Sequence, residues 1–328
     1  MINKIPVTLL VGFLGSGKTT LVNNILGGDH KLKIAIIENE FGSINIDQEF
    51  INKSKDAESY IIEMNNGCLC CSMNGDLILS LQKLLERRKD FNHIVIEATG
   101  MANPGPIIQI FNKAIELKDR FKLNSVVTLV DCKNFFKNLE NTKEDNEFSF
   151  EEQLLFSDYI ILNKIDLIPN ELQEFELNNI KKFITKINTS AEMVQAQYCD
   201  INITDLLKRN SQDIKLLDKL STGPKHKHGK GQIGQISIEL GGDFNPEQFQ
   251  LFLNSLYMTY RNRLFRFKAI LSFPENPKRV LLQGVNDQVS FDEGSDKKNP
   301  HVNKFVLIGI DLKREVIIKS LKNCLVKD

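Results

Sequence analysis

The segment VTLLVGFLGSGKTTLVNNIL, residues 7–26, decides the fold of this chain. Its first five residues form the apolar run of a buried strand, and its last eight have the spacing of a helix. Between them, Gly12 to Thr19 match the phosphate-binding pattern G-x-x-x-x-G-K-S/T, whose glycines let backbone N–H groups turn toward phosphate oxygens. The helix N-terminus that follows also attracts anions. The segment therefore predicts a nucleoside triphosphate site.

Within this loop, Lys18 is expected to reach the β- and γ-phosphates, and the Thr19 hydroxyl is expected to bind Mg²⁺. A glycine-rich turn that contains the pattern by chance is the alternative, on the order of one in a hundred for a chain of this length. The loop residues predicted to contact the nucleotide are Gly12, Gly15, Ser16, Gly17, Lys18, Thr19 and Thr20.

The pattern on either side of the loop predicts a three-layer α/β domain. Short apolar runs at 33–37, 93–96, 125–130 and 159–162 indicate buried strands, and helical patterns lie between them. Near-continuous apolar strands that alternate with helices are typical of a mostly parallel sheet covered on both faces. This P-loop NTPase domain is predicted to span residues 1–211, with an acidic surface loop at 141–150.

A second, smaller domain is predicted after a flexible basic linker at 212–231, where GPKHKHGKG is polar and rich in glycine. Residues 232–328 follow a β-α-β-β-β-α order, which predicts an α+β domain with one sheet and helices on one face. His226 and His228 form an H-x-H pair in the linker that could hold a metal ion loosely, but a solvated tract without a ligand is the simpler interpretation.

The composition argues against several kinds of partner. Lys plus Arg equals Asp plus Glu at 42 each, so the net charge is zero and gives no reason to expect nucleic acid or an anionic membrane. No apolar run approaches the roughly 18 to 20 residues that span a bilayer, and the first residues lack a signal-peptide pattern. We therefore expect a cytoplasmic protein whose cysteines are reduced; the scattered ones, Cys132, Cys199 and Cys324, are predicted to be structural.

The tetrapeptide NKID at 163–166 follows the apolar run YIIL and predicts the choice of base. Asp166 can accept hydrogen bonds from guanine N1–H and the exocyclic amine, whereas adenine offers no such pair of donors and would leave the carboxylate unpaired. Asn163 is expected to tie this segment to the phosphate loop, and the Lys164 stem to cover the base. A polar strand end is the alternative. The predicted ligands are GTP and GDP.

The segment EATG at 97–100 also follows a predicted strand. Glu97 is expected to hold Mg²⁺ through water or to orient the attacking water, and the Gly100 N–H is expected to contact the γ-phosphate. A strand-ending acid on a solvated rim is the alternative. No glutamine stands in an obvious water-positioning place, so slow intrinsic GTP turnover is expected, with Lys18, Thr19, Glu97 and Gly100 as the catalytic candidates.

The cluster GCLCC at 67–71 predicts a metal site. Thiolates of Cys68, Cys70 and Cys71 suit Zn²⁺, with Cu(I) and Co²⁺ as alternatives, and three sulfurs leave a tetrahedral site one ligand short, as an open transfer site would be. Packing of small buried side chains and redox chemistry are the competing interpretations. Glu38 and Glu40 are further candidates for contacts with this metal or with Mg²⁺, and an acidic solvated turn is their alternative.

Taken together, the motifs resemble the CobW family of P-loop GTPases, relatives of the HypB and UreG metallochaperones, and most of all its bacterial YjiA-type branch. The first domain carries GFLGSGKTT at 12–20, ENEFG at 38–42, GCLCC at 67–71, EATGMANPGPII at 97–108 and NKID at 163–166. The second domain resembles the family's C-terminal domain through RLFRFKAIL at 263–271 and HVNKFVLIGI at 301–310.

The resemblance implies a GTPase that couples GTP hydrolysis to binding a transition metal, usually zinc, and delivering it to a client metalloprotein. In that picture the cysteines lie under the switch segments, so the γ-phosphate could open or close the metal site. The chain departs from many relatives in having no tryptophan and only a short histidine tract. A passive zinc store with a structural nucleotide and a P-loop kinase are the alternatives. The sequence is compatible with an oligomer and identifies neither the metal nor the client.

Overall fold

The structure is a computed structural model that describes residues 4–28, 30–38, 60–63, 73–100, 102–113, 117, 119–144, 150–208, 233–261, 263–285, 288–297 and 302–326. These residues form two compact units, one of residues 4–184 with 191–208 and the other of residues 185–190 with 233–326. The predicted linker lies outside the described residues. No helix in the described ranges is both long enough and apolar enough to cross a membrane.

The first unit is built on a seven-stranded sheet in which every pair of neighbouring strands is parallel. The strands are Ile5–Gly12 (β1), Ile34–Glu38 (β2), Tyr60–Glu63 (β3), His93–Glu97 (β4), Phe121–Asp131 (β5), Tyr159–Asn163 (β6) and Glu192–Gln195 (β7). They lie in the order β3-β2-β4-β1-β5-β6-β7. Because parallel strands end at a common edge, the segments that follow β1, β4, β5 and β6 converge there.

Helices connect these strands, and their apolar faces pack on the sheet. On the first helix, Leu21, Val22 and Ile25 share one face and are fully buried in a cluster with strand residues such as Ile36 and Leu129. Each such side chain contributes about 1.5–3 kcal/mol of burial free energy. The helices are Lys18–Gly27 (α1), Met73–Glu86 (α2), Pro104–Lys113 (α3), Phe135–Glu144 (α4), Phe150–Phe156 (α5), Asn170–Ile187 (α6) and Ile203–Lys208 (α7).

Three buried polar side chains join the central strands β1, β4 and β5. Thr8 Oγ1 lies 2.9 Å from His93 Nε2 and 3.4 Å from Ser125 Oγ. Burial, with a smaller effect from the nearby His30 ring, lowers the pKa of His93 to about 4. The His93 ring is therefore neutral at neutral pH and is satisfied by a hydrogen bond inside the sheet.

The second unit is a five-stranded antiparallel sheet with two helices. Its strands are Ile233–Gly241 (β8), Leu264–Leu271 (β9), Lys278–Val285 (β10), Gln288–Asp296 (β11) and Val302–Ile310 (β12), in the order β11-β10-β9-β12-β8. The helices are Pro246–Tyr260 (α8) and Arg314–Lys322 (α9). Phenylalanines fill the core of this tryptophan-free unit: the Phe244 ring lies 5.2 Å from that of Phe249 and 5.7 Å from that of Phe305.

Both predicted fold classes are confirmed, with corrections in detail. The predicted order of the second unit lacks β11, and the predicted first sheet lacks β3 and β7. The surface loop predicted at 141–150 is wrong at both ends, because α4 extends to Glu144 and because Phe150 begins α5 and is buried. Its ring packs against that of Phe135, with 5.5 Å between centroids, so burial of an aromatic ring outweighs the polar neighbours that suggested a loop.

Candidate nucleotide-binding site

The phosphate loop turns between the end of β1 and the start of α1. Gly15 and Gly17 adopt φ angles of 74° and 108°, left-handed conformations that favour glycine. A Cβ on Gly17 would lie 2.6 Å from Asn163 Nδ2 and 3.1 Å from Cys199 Sγ, so this position has no room for a side chain. Ser16 is buried, and its hydroxyl has no hydrogen-bond partner within the part of the chain that the structure describes. The loop is thus packed tightly against the end of β6 and the segment that follows β7.

The side chains expected at the phosphates lie together at the end of this loop. Lys18 Nζ donates to the carbonyl oxygens of Gly12 at 3.0 Å and Phe13 at 3.4 Å. Thr19 Oγ1 donates to Glu97 Oε1 at 3.3 Å, which links the first turn of α1 to the end of β4. A hydroxyl and a carboxylate side by side are hard oxygen donors of the kind that Mg²⁺ prefers.

The turn after β4 contacts both the phosphate loop and a neighbouring helix. A Cβ on Gly100 would lie 2.6 Å from the backbone nitrogen of Leu14, so only glycine allows this approach. The buried Gln153 side chain of α5 donates from Nε2 to Gly100 O at 3.2 Å and to Ala102 O at 3.0 Å. The sequence did not single out Gln153, since more than fifty positions separate it from this turn.

Asn163 ends β6 and links three segments of the site. Its Nδ2 donates to Ser16 O at 2.9 Å, and its Oδ1 accepts from Cys199 N at 3.0 Å. Because the side chain is buried, both hydrogen bonds are shielded from water, and this shielding strengthens them. The phosphate loop, the N-K-x-D segment and the segment after β7 therefore meet around one amide.

Lys164 and Asp166 follow in a bent segment. Lys164 has a φ of 61°, and its Nζ forms an ion pair with Oδ2 of the buried Asp131 at 2.9 Å. Burial would raise the pKa of Asp131, but hydrogen bonds from Asn134 and from Lys164 lower it below its usual value. Asp166 lies in the 3-10 turn Ile165–Leu167 and is exposed, so its carboxylate is accessible to a ligand.

Cys199 belongs to this site, although the sequence predicted only a structural role for it. Tyr198 and Cys199 have φ angles of 52° and 56°, left-handed conformations that are uncommon for residues other than glycine. Cys199 Sγ donates to Gly17 O at 3.3 Å, and Asn24 Nδ2 of α1 donates to Cys199 O at 3.1 Å. Burial raises the pKa of the Cys199 thiol to about 12, so the group remains a protonated donor.

The predicted metal residues are placed less completely than the nucleotide residues. Glu38 is described by its backbone as the last residue of β2, and Thr20 is exposed on the first turn of α1. Among the described residues, no group of three His, Cys, Asp or Glu side chains could hold a metal ion. The metal site stays a prediction, because its candidates lie outside the described residues: Glu40, Cys68, Cys70, Cys71, His226 and His228.

Comparison with known families covers both units. The family model described as the CobW/HypB/UreG nucleotide-binding domain matches residues 6–195. The model described as the cobalamin synthesis protein cobW C-terminal domain matches residues 233–325. The two matched ranges contain the phosphate loop, the E-x-x-G turn and the N-K-x-D segment, together with the antiparallel sheet.

Individual relatives match over nearly the whole chain. The zinc chaperone YjiA of Escherichia coli K12 is 33% identical over 325 residues, which are 96% of this chain and 97% of that protein. Zinc-regulated GTPase metalloprotein activator 1 of Schizosaccharomyces pombe is 36% identical over 354 residues, 95% of this chain and 84% of that protein. The crystal structure of Zn(II)-bound YjiA GTPase from E. coli has a TM-score of 0.68 and 27% identity, and the match covers 99% of this chain and 100% of that one. This chain therefore belongs to the CobW family of P-loop GTPases, in its YjiA-type branch.

Proposed function

We propose that this chain is a GTP-hydrolysing metallochaperone that binds a transition metal, which we infer to be zinc, at Cys68, Cys70 and Cys71. It delivers this metal to a client protein. The observation that carries the proposal is the position of the C-x-C-C motif within a GTPase, between β3 and α2. Relatives named as zinc chaperones and zinc-regulated GTPase activators support the same cargo here.

Strand register supports a coupling between the metal motif and the nucleotide. The backbone of Glu38 in β2 is level with Glu63 in β3 and with Glu97 in β4, so the three strands end at one edge of the sheet. That edge carries the contact between Thr19 and Glu97. Cys68 follows Glu63 by five positions in the sequence. A displacement of Glu97 on binding or losing the γ-phosphate would therefore act on the strands from which the metal motif continues.

Each residue of the nucleotide site has a role in this proposal. Lys18 binds the β- and γ-phosphate oxygens and offsets their charge. The Thr19 hydroxyl and the Glu97 carboxylate would hold Mg²⁺, which supplies further positive charge at those oxygens. The Gly100 N–H contacts the γ-phosphate, and Asp166 accepts from guanine N1–H and the exocyclic amine.

Metal content with and without the thiolates tests the zinc site. Serine at Cys68, Cys70 and Cys71 together should remove tightly bound zinc, measured by mass spectrometry of the metal, and leave GDP affinity largely intact. Cys324→Ser is the matched control, because this buried thiol lies in the second unit and its replacement should leave zinc stoichiometry unchanged. If the triple variant and the wild type contain the same amount of zinc per protein molecule, the zinc site lies elsewhere.

Zinc affinity in two nucleotide states separates delivery from storage. A chaperone driven by GTP should bind zinc with different affinities in GDP and in a non-hydrolysable GTP analogue, whereas a store should bind it equally in both. Lys18→Ala removes a charged phosphate contact, so GTP turnover should fall by about 100-fold or more and the zinc response to GTP should disappear. A zinc-independent turnover together with equal zinc affinities would refute the coupling.

A further inference from the structure

Helix α5 contacts both arms of the phosphate site. The Phe150 ring lies edge-on to the Phe13 ring of the phosphate loop, with 6.2 Å between centroids. Three positions later, Gln153 Nε2 binds the carbonyl oxygens of Gly100 and Ala102 in the turn after β4. Residues three apart on a helix share a face. One face of α5 therefore touches the phosphate loop and the turn that follows Glu97.

The Gln153 amide is buried and only half satisfied. Its Nε2 uses both hydrogens on the turn, while its Oε1 is buried and has no hydrogen-bond partner among the described residues. An unpaired buried acceptor is costly, and native proteins keep such groups mainly where they have a task. The backbone of the same residue is anchored, because its carbonyl accepts from Thr128 Oγ1 at 3.1 Å and from Ser157 Oγ at 2.7 Å.

The neighbouring Glu152 holds the next part of the turn. Its Oε2 accepts from Asn103 Nδ2 at 2.6 Å, and Asn103 Oδ1 in turn accepts from the backbone N–H of Gly105 in α3. Two adjacent side chains of α5 thus make three hydrogen bonds to the segment between β4 and α3. The contact of that segment with the phosphate loop at Gly100, by contrast, is steric.

We propose that Gln153 is a positioning residue for GTP hydrolysis, which fixes the Gly100 carbonyl and thereby the direction of the Gly100 N–H toward the γ-phosphate. Because glycine has no Cβ to limit the torsions between these two groups, the hydrogen bond on the carbonyl is what restrains the backbone there. The proposal rests on the role proposed for Gly100 and is independent of metal delivery.

The test compares Gln153→Met with the wild-type protein. Methionine keeps the length of the side chain and removes its donors. We expect kcat for GTP to fall about tenfold, the effect of one or two lost hydrogen bonds in the transition state. GDP affinity should stay unchanged, because GDP has no γ-phosphate, so the preference for a non-hydrolysable GTP analogue over GDP should shrink. Equal losses of GDP and analogue affinity, or a lower melting temperature with normal kcat, would show a merely structural role and overturn the proposal.

Further variants keep the result interpretable. Asn124→Ala removes another buried amide of the first unit, one that donates to Leu207 O and not to the turn, so kcat and nucleotide preference should remain those of the wild type. Gln153→Glu places a carboxylate against two carbonyls, and its kcat relative to wild type should recover as falling pH protonates the acid into a donor. Normal turnover in Gly100→Ala would refute the role of Gly100. Slow turnover in Gly100→Ala with normal turnover in Gln153→Met and Gln153→Glu would refute only the role of Gln153.

Discussion

The two ends of the nucleotide site are held by different kinds of contact. At the base end, the buried Asn163 side chain makes direct hydrogen bonds to the phosphate loop and to Cys199. At the phosphate end, Thr19 donates to Glu97 just before the turn, Gly100 touches the loop sterically, and the carbonyls of Gly100 and Ala102 accept from α5. We therefore expect the base end to bind guanine nucleotide alike in both states and the turn with Gly100 to be the part that responds to the γ-phosphate.

The largest expected effect comes from breaking the base end. Asn163→Ala leaves Ser16 O and Cys199 N buried without partners, at about 1–3 kcal/mol for each orphaned group. Affinity should fall by about 100-fold, and by the same factor for GDP and for a GTP analogue. Calorimetric titration of both nucleotides measures this. The control Asn124→Ala removes another buried asparagine, outside the site, and should cost stability only. A much larger loss for GTP than for GDP would contradict the comparison.

A smaller effect is expected from the ion pair beside the base. Asp131→Asn removes the charge that holds Lys164 Nζ, so the lysine stem should lose the position that we propose for it over the base. Guanine nucleotide affinity should fall by about tenfold, again equally for GDP and GTP analogue. Fluorescent nucleotide titration at low and high salt checks this. Unchanged affinity at both salt concentrations would assign the pair to folding alone.

Acid should lower the stability of the first unit through His93, which lies in β4, the strand before the turn with Gly100. The pKa of His93 is about 4 in the fold and 6.5 in the unfolded chain, so the unfolded chain binds the extra proton between these values. The contribution of a neutral His93 to the free energy of unfolding is present above pH 6.5 and is lost as the pH falls toward 4. The loss is about 1.4 kcal/mol at pH 5.5. Urea unfolding at pH 7.5 and 5.5 measures it. In His93→Gln the difference between the two pH values should shrink by that amount; an unchanged difference would assign the acid sensitivity to other groups.

The last prediction is that Cys199 stays unreactive toward an alkylating reagent in both nucleotide states. Burial raises the pKa of Cys199 to about 12, and its thiol is bonded to the phosphate loop, so iodoacetamide should leave it unmodified in GDP and in GTP analogue alike. Mass spectrometry of labelled peptides checks this, with all six cysteines labelled after denaturation as the control. Labelling of Cys199 that depends on nucleotide would show that the base end moves too.

The fold was predictable from sequence wherever a strand is buried on both faces. The five strands predicted in the first sheet are its five interior strands, and their apolar runs are nearly continuous. The three strands that the sequence did not predict are β3, β7 and β11, and all three lie at sheet edges. β7 has only four residues, half-buried or exposed, so it lacks the apolar run that indicates a strand.

The site was predictable where its chemistry is local. The phosphate loop, E-x-x-G and N-K-x-D each consist of a few adjacent residues, so each motif can be recognised in the sequence. Among the contacts between residues distant in sequence, the bond from Asn163 to the phosphate loop was predicted, whereas those of Gln153 with Gly100 and of Lys164 with Asp131 were not. Only the fold brings these pairs together. The residues adjacent to them in the sequence do not indicate which partner each one contacts.

The hydrogen bond from Asn163 to Ser16 joins residues 147 positions apart. During synthesis at about 5–20 residues per second, the phosphate loop exists for roughly 7 to 30 s before Asn163, its partner in this bond, is added. Strand β7 and Cys199, the other partner of Asn163, are synthesised later still. The segments that meet around Asn163 can therefore assemble only after nearly all of the first unit has been synthesised.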